Sequence, residues 1–235
     1  MIAPLAVVIP ARNEAARLPS LLADLALAPH LVREVCVVDG ASWDGTAAVA
    51  RLAGAEVVHG PANRGLQLQR GIRVTSAPWL LLLHADGRLP RGWATSVEQA
   101  LMQGPGCCWA FRLGIDGGAL GLRLVELLVA WRTQLLKLPY GDQGLLVHRQ
   151  ALEAVGGVRP LPLMEDLDVV LRLRAAMAVR TLPGRYTVDG RRWRTLGVVG
   201  TCWRNAQLRR AWRRGEDPQR LAARYGAYQN AQRRC

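Results

Sequence analysis

The 235 residues (25.7 kDa) are half hydrophobic, enough for one core that buries roughly 70–75% of the unfolded surface, so a single domain with a tail is expected. The formal charge of +13 is uneven: residues 180–235 hold 14 arginines against Asp189, Glu216 and Asp217, a net of +11. The sequence opens without a basic leader, its longest lipid-like stretch (119–131) is interrupted by Arg123 and Glu126, and its five cysteines lack CxxC spacing. These features argue against a secretory signal, a membrane span and a disulfide framework, and the expectation is a reduced, cytoplasmic protein.

Leu5–Ile9 is a short apolar run that suits a buried strand, followed by Pro10-Ala11-Arg12-Asn13-Glu14 and a helical pattern with Leu18, Leu21, Leu22 and Leu25 on one face. Glu34–Val38 reads as a second strand ending in Asp39-Gly40-Ala41-Ser42-Trp43-Asp44-Gly45-Thr46, then a helix through Ala53. Ala55–His59 is a third strand, Arg64–Val74 a helix, and Trp79–Leu83 a fourth strand that ends in His84-Ala85-Asp86-Gly87. Three strand–helix alternations in a row predict right-handed crossovers and a largely parallel sheet. In such a sheet Glu14, Asp39, Asp44 and Asp86 lie just past strand C-termini and converge on one edge, where ligands of open α/β sheets bind. Taken singly, Asp86 or Asp39 is as readily a turn or cap residue.

Beyond Pro90, residues 91–103 read as a helix, Cys107–Leu113 as a strand and 119–138 as a long amphipathic helix. Its stripe of Leu120, Leu124, Leu127, Leu128, Trp131 and Leu135 is expected to face the core rather than a membrane. Tyr140-Gly141-Asp142-Gln143-Gly144 is a polar turn before a short strand, 145–148, and Pro160–Asp168 opens a helix running to about Ala176. Three carboxylates at that helix start, Glu165, Asp166 and Asp168, also match the helix dipole. Two basic helices, 198–214 and 218–232, close the chain.

A hard carboxylate oxygen from Asp86 suits Mg²⁺ or Mn²⁺ shared with a diphosphate, with Arg64 neutralising a second phosphate; His84 and His59 are weaker ligand candidates. A carboxylate among like charges is improved as a general base, and Asp166 is chosen for that role with Glu165 and Asp168 as electrostatic neighbours or acceptor contacts.

The ordered set Val8-Ile9-Pro10-Ala11-Arg12-Asn13-Glu14, Val38–Thr46, Arg64-x-x-Gln67, Leu83-His84-Ala85-Asp86, Tyr140–Gly144, Met164–Asp168 and Arg191-Arg192-Trp193 resembles family 2 glycosyltransferases. More narrowly, it resembles the radical-SAM/selenodomain-associated transferase 2 subgroup. The resemblance implies a GT-A fold: a mixed, mostly parallel α/β sheet flanked by helices, over residues 1–197, followed by an Arg-rich helical extension, 198–235. Within it, 1–90 would bind nucleotide and 91–197 the acceptor. It further implies inverting transfer of a sugar from a nucleotide-diphosphate sugar to a hydroxyl acceptor, with a lipid-linked acceptor left open, and a divalent cation, Mg²⁺ or Mn²⁺. By position, Pro10, Arg12, Asn13, Glu14, Asp39, Ser42 and Ala85 would hold the nucleotide, with Arg64 and Gln67 near its phosphates or sugar. Asp86 would bind the metal, Asp166 would be the base, and Asp142, Gln143, Arg191, Arg192 and Trp193 would contact sugar or acceptor. His84 stands where many relatives carry the first Asp of a D-x-D motif, and Trp43 and Gly87 are further departures.

A competing reading is an inactive, transferase-like or basic binding protein that docks through its arginine-rich tail. Anionic membrane is the favoured surface, because the tail lacks a nucleic-acid module.

Overall fold

The structure, a computed structural model, describes residues 3–231, and the side chains of all of these except 192, 195, 196 and 227–231. The strands are β1 (Leu5–Ala11), β2 (Val32–Asp39), β3 (Glu56–His59), β4 (Trp79–Leu82), β5 (Gly87–Arg88), β6 (Cys107–Ile115), β7 (Leu145–His148) and β8 (Ala178–Val188). The helices are α1 (Leu18–Ala26), α2 (Thr46–Leu52), α3 (Arg64–Val74), α4 (Trp93–Leu101), α5 (Leu120–Leu136), α6 (Arg149–Ala154), α7 (Glu165–Ala176), α8 (Arg191–Arg213) and α9 (Pro218–Ala231), with a 3₁₀ turn at Gly141–Gln143.

The strands form one sheet in the order β3-β2-β1-β4-β7-β6-β8-β5. The pairs β1–β2, β1–β4, β2–β3 and β6–β8 are parallel, and those of β7 with β4 and β6 and of β5 with β8 are antiparallel. This is the mixed, mostly parallel α/β architecture expected.

Two-residue periodicity sorts the core. Leu5, Val7 and Ile9 face one side with α1 and α4, while Ala6 and Val8 face the other with α3 and α7. Both faces are therefore covered, which is why β1 and β4 read as unbroken apolar runs. Helix α3 sits so close to β1 that a Cβ on Gly71 would lie 2.4 Å from Val8 Cγ1. Removing a buried side chain such as Leu81 is expected to cost about 2–5 kcal/mol.

Several elements escaped the sequence pattern. Strand β8 carries five exposed positions among eleven residues, so its periodicity is weak, yet it pairs with β6 from Cys107–Ala178 to Ile115–Val188. The turn residue Gly87 starts β5, and the reason for a glycine is Tyr186: an added Cβ would fall 2.0 Å from its ring.

Helix α5 is the main correction. Its predicted core stripe points outward, with Leu120 at 88% and Trp131 at 65% exposure, and the inward face is Leu122, Val125, Glu126 and Thr133. Polar residues win the inner face because their partners are there. Glu126 accepts from the Ile115 amide at 2.8 Å and from Arg185 at 2.9 Å, and Thr133 donates to Gln143 at 3.2 Å. Helix α8 breaks at Gly197 (φ 69°, ψ 170°).

Candidate active site

The C-terminal ends of β1 and β4, the start of α3, the 3₁₀ turn and the start of α7 meet around a cavity of about 360 Å³. Its wall includes Arg12, Arg64, Gln67, His84, Tyr140, Asp142, Glu165 and Asp166. Asn205, Leu208 and Arg209 of α8, with Ala222 and Tyr225 of α9, complete it, so residues of the C-terminal helices form part of the enclosure.

The strand side of the site is built from loops that bind each other. After β1, Asn13 takes a left-handed conformation (φ 56°); its amide donates to Ser42 Oγ at 2.9 Å, and its Oδ1 accepts from the Trp43 amide at 3.0 Å. Asp39, 4% exposed, accepts from the Ser42 amide at 3.3 Å and faces His59 Nδ1 at 3.3 Å. Gln67 is buried and donates its amide nitrogen to Val38 O at 2.7 Å and Ala11 O at 3.1 Å, tying β1 to β2. Pro10 and Ala85 are buried backbone positions.

Asp86 does not line the cavity. It stands behind His84, whose Nδ1 is 3.9 Å from Asp86 Oδ1, and shares the guanidinium of Arg191 with Glu14: the Asp86 contact is 3.5 Å and one Glu14 contact 3.1 Å. Burial pushes the Glu14 carboxyl above its ordinary range, against the pull of Arg191. A cation here would have Asp86, with His84 adjoining, as its protein donors. Among the described residues no three His, Cys, Asp or Glu side chains are grouped to hold an ion. A hard carboxylate without a closed cage fits Mg²⁺ or Mn²⁺, ions that fill their remaining positions with substrate phosphate and water.

The opposite wall begins at Met164, held left-handed (φ 66°) at the N-cap of α7, which sets Glu165 and Asp166 side by side in the first turn. Asp166 Oδ2 accepts from the Gly141 amide at 2.8 Å and Oδ1 from the Leu167 amide at 2.7 Å. An ionised carboxylate offers about four lone-pair positions, so two stay available to a ligand. Glu165 is 2% exposed, and burial pushes its carboxyl up to about 7 against the pull of Arg64. Arg64 Nε lies 3.0 Å from Glu165 Oε1 but misaligned for a hydrogen bond, while its Nη2 contacts His84. Arg64 thus spans the cavity from the α7 carboxylates to the β4 end.

Other predicted site residues are placed elsewhere. Asp168 is clasped by Arg159 at 3.0 Å and Arg172 at 2.5 Å and takes no part in the cavity wall. Gln143 is fully buried; its Oε1 accepts from Arg132 at 3.0 Å and its Nε2 donates to Phe111 O at 2.9 Å, which fixes the 3₁₀ turn. Trp193 packs on the core, and the side chain of Arg192 lies outside the described residues. Sequence reasoning missed Asn205, Arg209 and Tyr225, which lie beyond the Arg191-Arg192-Trp193 motif in stretches that carry no motif of their own. It also left Tyr140 without a role, although Arg132 sits over its ring at 3.6 Å and Arg209 at 5.5 Å.

Residues 6–212 match glycosyl transferase family 2. No curated protein matches. Among solved structures, Staphylococcus aureus TarS residues 1–349 superposes with a TM-score of 0.64 at 13% identity, over 79% of this chain and 60% of that one. The chain therefore spans less than two thirds of that relative. Glucosyl-3-phosphoglycerate synthase from Mycobacterium tuberculosis, solved with Mn²⁺ and UDP-glucose, has a TM-score of 0.56 at 24% identity, covering 79% and 71% of the two chains. Mannosyl-3-phosphoglycerate synthase from Rubrobacter xylanophilus has a TM-score of 0.56 at 23% identity, covering 91% and 76%. At these identities the likeness concerns the fold.

Proposed function

Because the chain belongs to glycosyl transferase family 2, we propose that it moves a sugar from a nucleoside-diphosphate sugar to an acceptor hydroxyl, with inversion at the anomeric carbon. The observation that carries the reading is Asp166: its carboxylate is oriented by two backbone amides at the wall of a cavity that also holds Arg12 and Arg64. The mycobacterial synthase bound to Mn²⁺ and UDP-glucose supports the donor class.

In this scheme Asp166 takes the proton of the acceptor hydroxyl while that oxygen bonds to the anomeric carbon. The bond from that carbon to the diphosphate oxygen breaks on the opposite side, and the electron pair leaves with the nucleotide. Arg64 sits where it meets the charge that develops on the departing diphosphate, and the α3 N-terminus behind it, capped by Asn63, adds the positive end of a helix dipole. Arg12 faces the same space from the end of β1, and the Asn13–Ser42 and Asp39–Ser42 bonds hold the nucleotide loops in shape. A divalent cation, Mg²⁺ or Mn²⁺ on Asp86, would supply Lewis-acid stabilisation of the diphosphate when bound. Glu165 holds or releases a proton near neutrality and so sets the charge that Asp166 and Arg64 feel. Asp142 lines the same cavity and is assigned to the acceptor in this scheme.

The test is a panel of UDP-, GDP- and dTDP-sugars with Mn²⁺, read first as metal-dependent thermal protection and then as nucleotide release. Protection by one donor class, weakened in Asp86→Asn, and turnover lost in Asp166→Asn are the expected results. Near-normal turnover in both variants overturns the assignment.

A further inference from the structure

The outward face of α5 carries a run of exposed large apolar side chains. Leu120, Leu124, Leu127, Leu128, Trp131 and Leu135 are each 55–88% exposed. Their spacing places them on an arc of about 100° along a rod of about 25 Å. Scattered surface leucines need no explanation, but a contiguous strip of this kind marks a surface that something covers.

Helix α8 identifies what covers it. It abuts the start of α5, where a Cβ on Gly121 would come within 3.0 Å of Val198. Val199 and Trp203 follow, 81% and 64% exposed, and at the same helical spacing the face continues into the exposed Arg210 and Arg214. The apolar strip thus runs into the segment that carries a net +11. A second copy of the chain would bring two such cationic surfaces together, and like charges oppose that. An anionic bilayer satisfies both parts: leucines enter the acyl boundary, tryptophans sit at headgroup depth, and arginines meet lipid phosphates. No helix among the described residues is long and apolar enough to cross a membrane, so contact is made lying on it.

We propose that α5, with Val199 and Trp203 of α8, docks the protein in the plane of an anionic membrane surface. The tail alone is not the anchor: it supplies charge, and α5 supplies insertion. Docking is independent of the transfer reaction, so either can fail without the other.

Flotation of the full chain with phosphatidylcholine vesicles, with and without phosphatidylglycerol, tests it. The protein is expected to float with the anionic vesicles and to be released by salt. The Leu124→Gln/Leu128→Gln/Trp131→Gln variant should lose at least ~10-fold in partitioning. Its melting temperature without lipid should match the wild type, because all three side chains are exposed. Leu127→Gln alone should give a smaller loss of the same sign, which keeps the test valid if the triple variant fails to fold. Flotation of the triple variant at wild-type level overturns the proposal. So does a wild-type chain that ignores vesicles but forms, by light scattering, a dimer that the triple variant dissolves.

Discussion

The two sides of the site, the strand-end loops behind the cavity and the α7 wall that lines it, hold their carboxylates by opposite means. On the strand side Glu14 and Asp86 share the guanidinium of Arg191, and Asp39 is engaged by a loop amide and His59. On the α7 side Asp166 is fixed by two amides that leave lone pairs open, and Glu165 is buried beside a misaligned Arg64. The first wall is built to keep a shape and must rearrange Arg191 to admit a ligand at Asp86. The second is held ready for proton transfer.

The contrast is broken most completely at Asp166. Asp166→Asn removes the proton acceptor and is expected to lower turnover about 10²–10⁴-fold with donor affinity nearly intact. Single-turnover nucleotide release and calorimetric donor binding separate the two effects; equal losses in both would make Asp166 a shape residue like those of the other wall.

Glu165 gives the next largest effect, on stability. Its folded carboxyl holds a proton up to about 7, against 4.5 for the free group. The folded state then binds more protons than the unfolded one, so stability falls as pH rises from about 4.5 through about 7 and levels off above. The contribution is at most about 3 kcal/mol. Glu165→Gln should flatten that slope in urea titrations and leave the variant the more stable one above neutrality.

On the strand wall, Arg191→Met leaves Glu14 and Asp86 without their shared cation. With a third of the Arg191 side chain exposed, solvent screens part of the loss, and a destabilisation of about 2 kcal/mol is expected in denaturant unfolding. If turnover requires Arg191 to leave Asp86, the Mn²⁺ concentration for half-maximal thermal protection should also fall.

The strand side was legible in the sequence because its signals are local: apolar runs and strand ends place Glu14, Asp39, Asp44 and Asp86 on one edge without knowledge of distant contacts, while Asn13 and Ser42 were legible through the family resemblance. The α7 wall was legible only as a cluster. Which of Glu165, Asp166 and Asp168 faces the cavity depends on Arg159, Arg172 and Gly141, which approach from other segments. The α5 face was misread for the same reason: Glu126 and Thr133 turn inward because Ile115, Arg185 and Gln143 wait there, and hydrophobic periodicity contains no record of those partners. The cavity-lining residues of α8 and α9, Asn205, Leu208, Arg209, Ala222 and Tyr225, had no signal beyond the charge of their segment.

The smallest effect lies in the loop that shapes the strand wall. Ala41 follows the β2 carboxylate in a left-handed conformation (φ 57°) that a side chain disfavours, and it is exposed, so its methyl contributes little packing. That conformation lets the Ser42 amide turn back onto Asp39 and leaves Ser42 Oγ free to accept from Asn13. Ala41→Gly removes a steric cost of about 1–2 kcal/mol but adds about 0.4–1 kcal/mol of unfolded-state entropy. The net expectation is a gain of roughly 0.5 kcal/mol in denaturant unfolding with donor affinity unchanged. A gain in stability accompanied by weaker donor binding would show instead that the strained loop is held for the ligand, making this wall preorganised in the same sense as the one that carries Asp166.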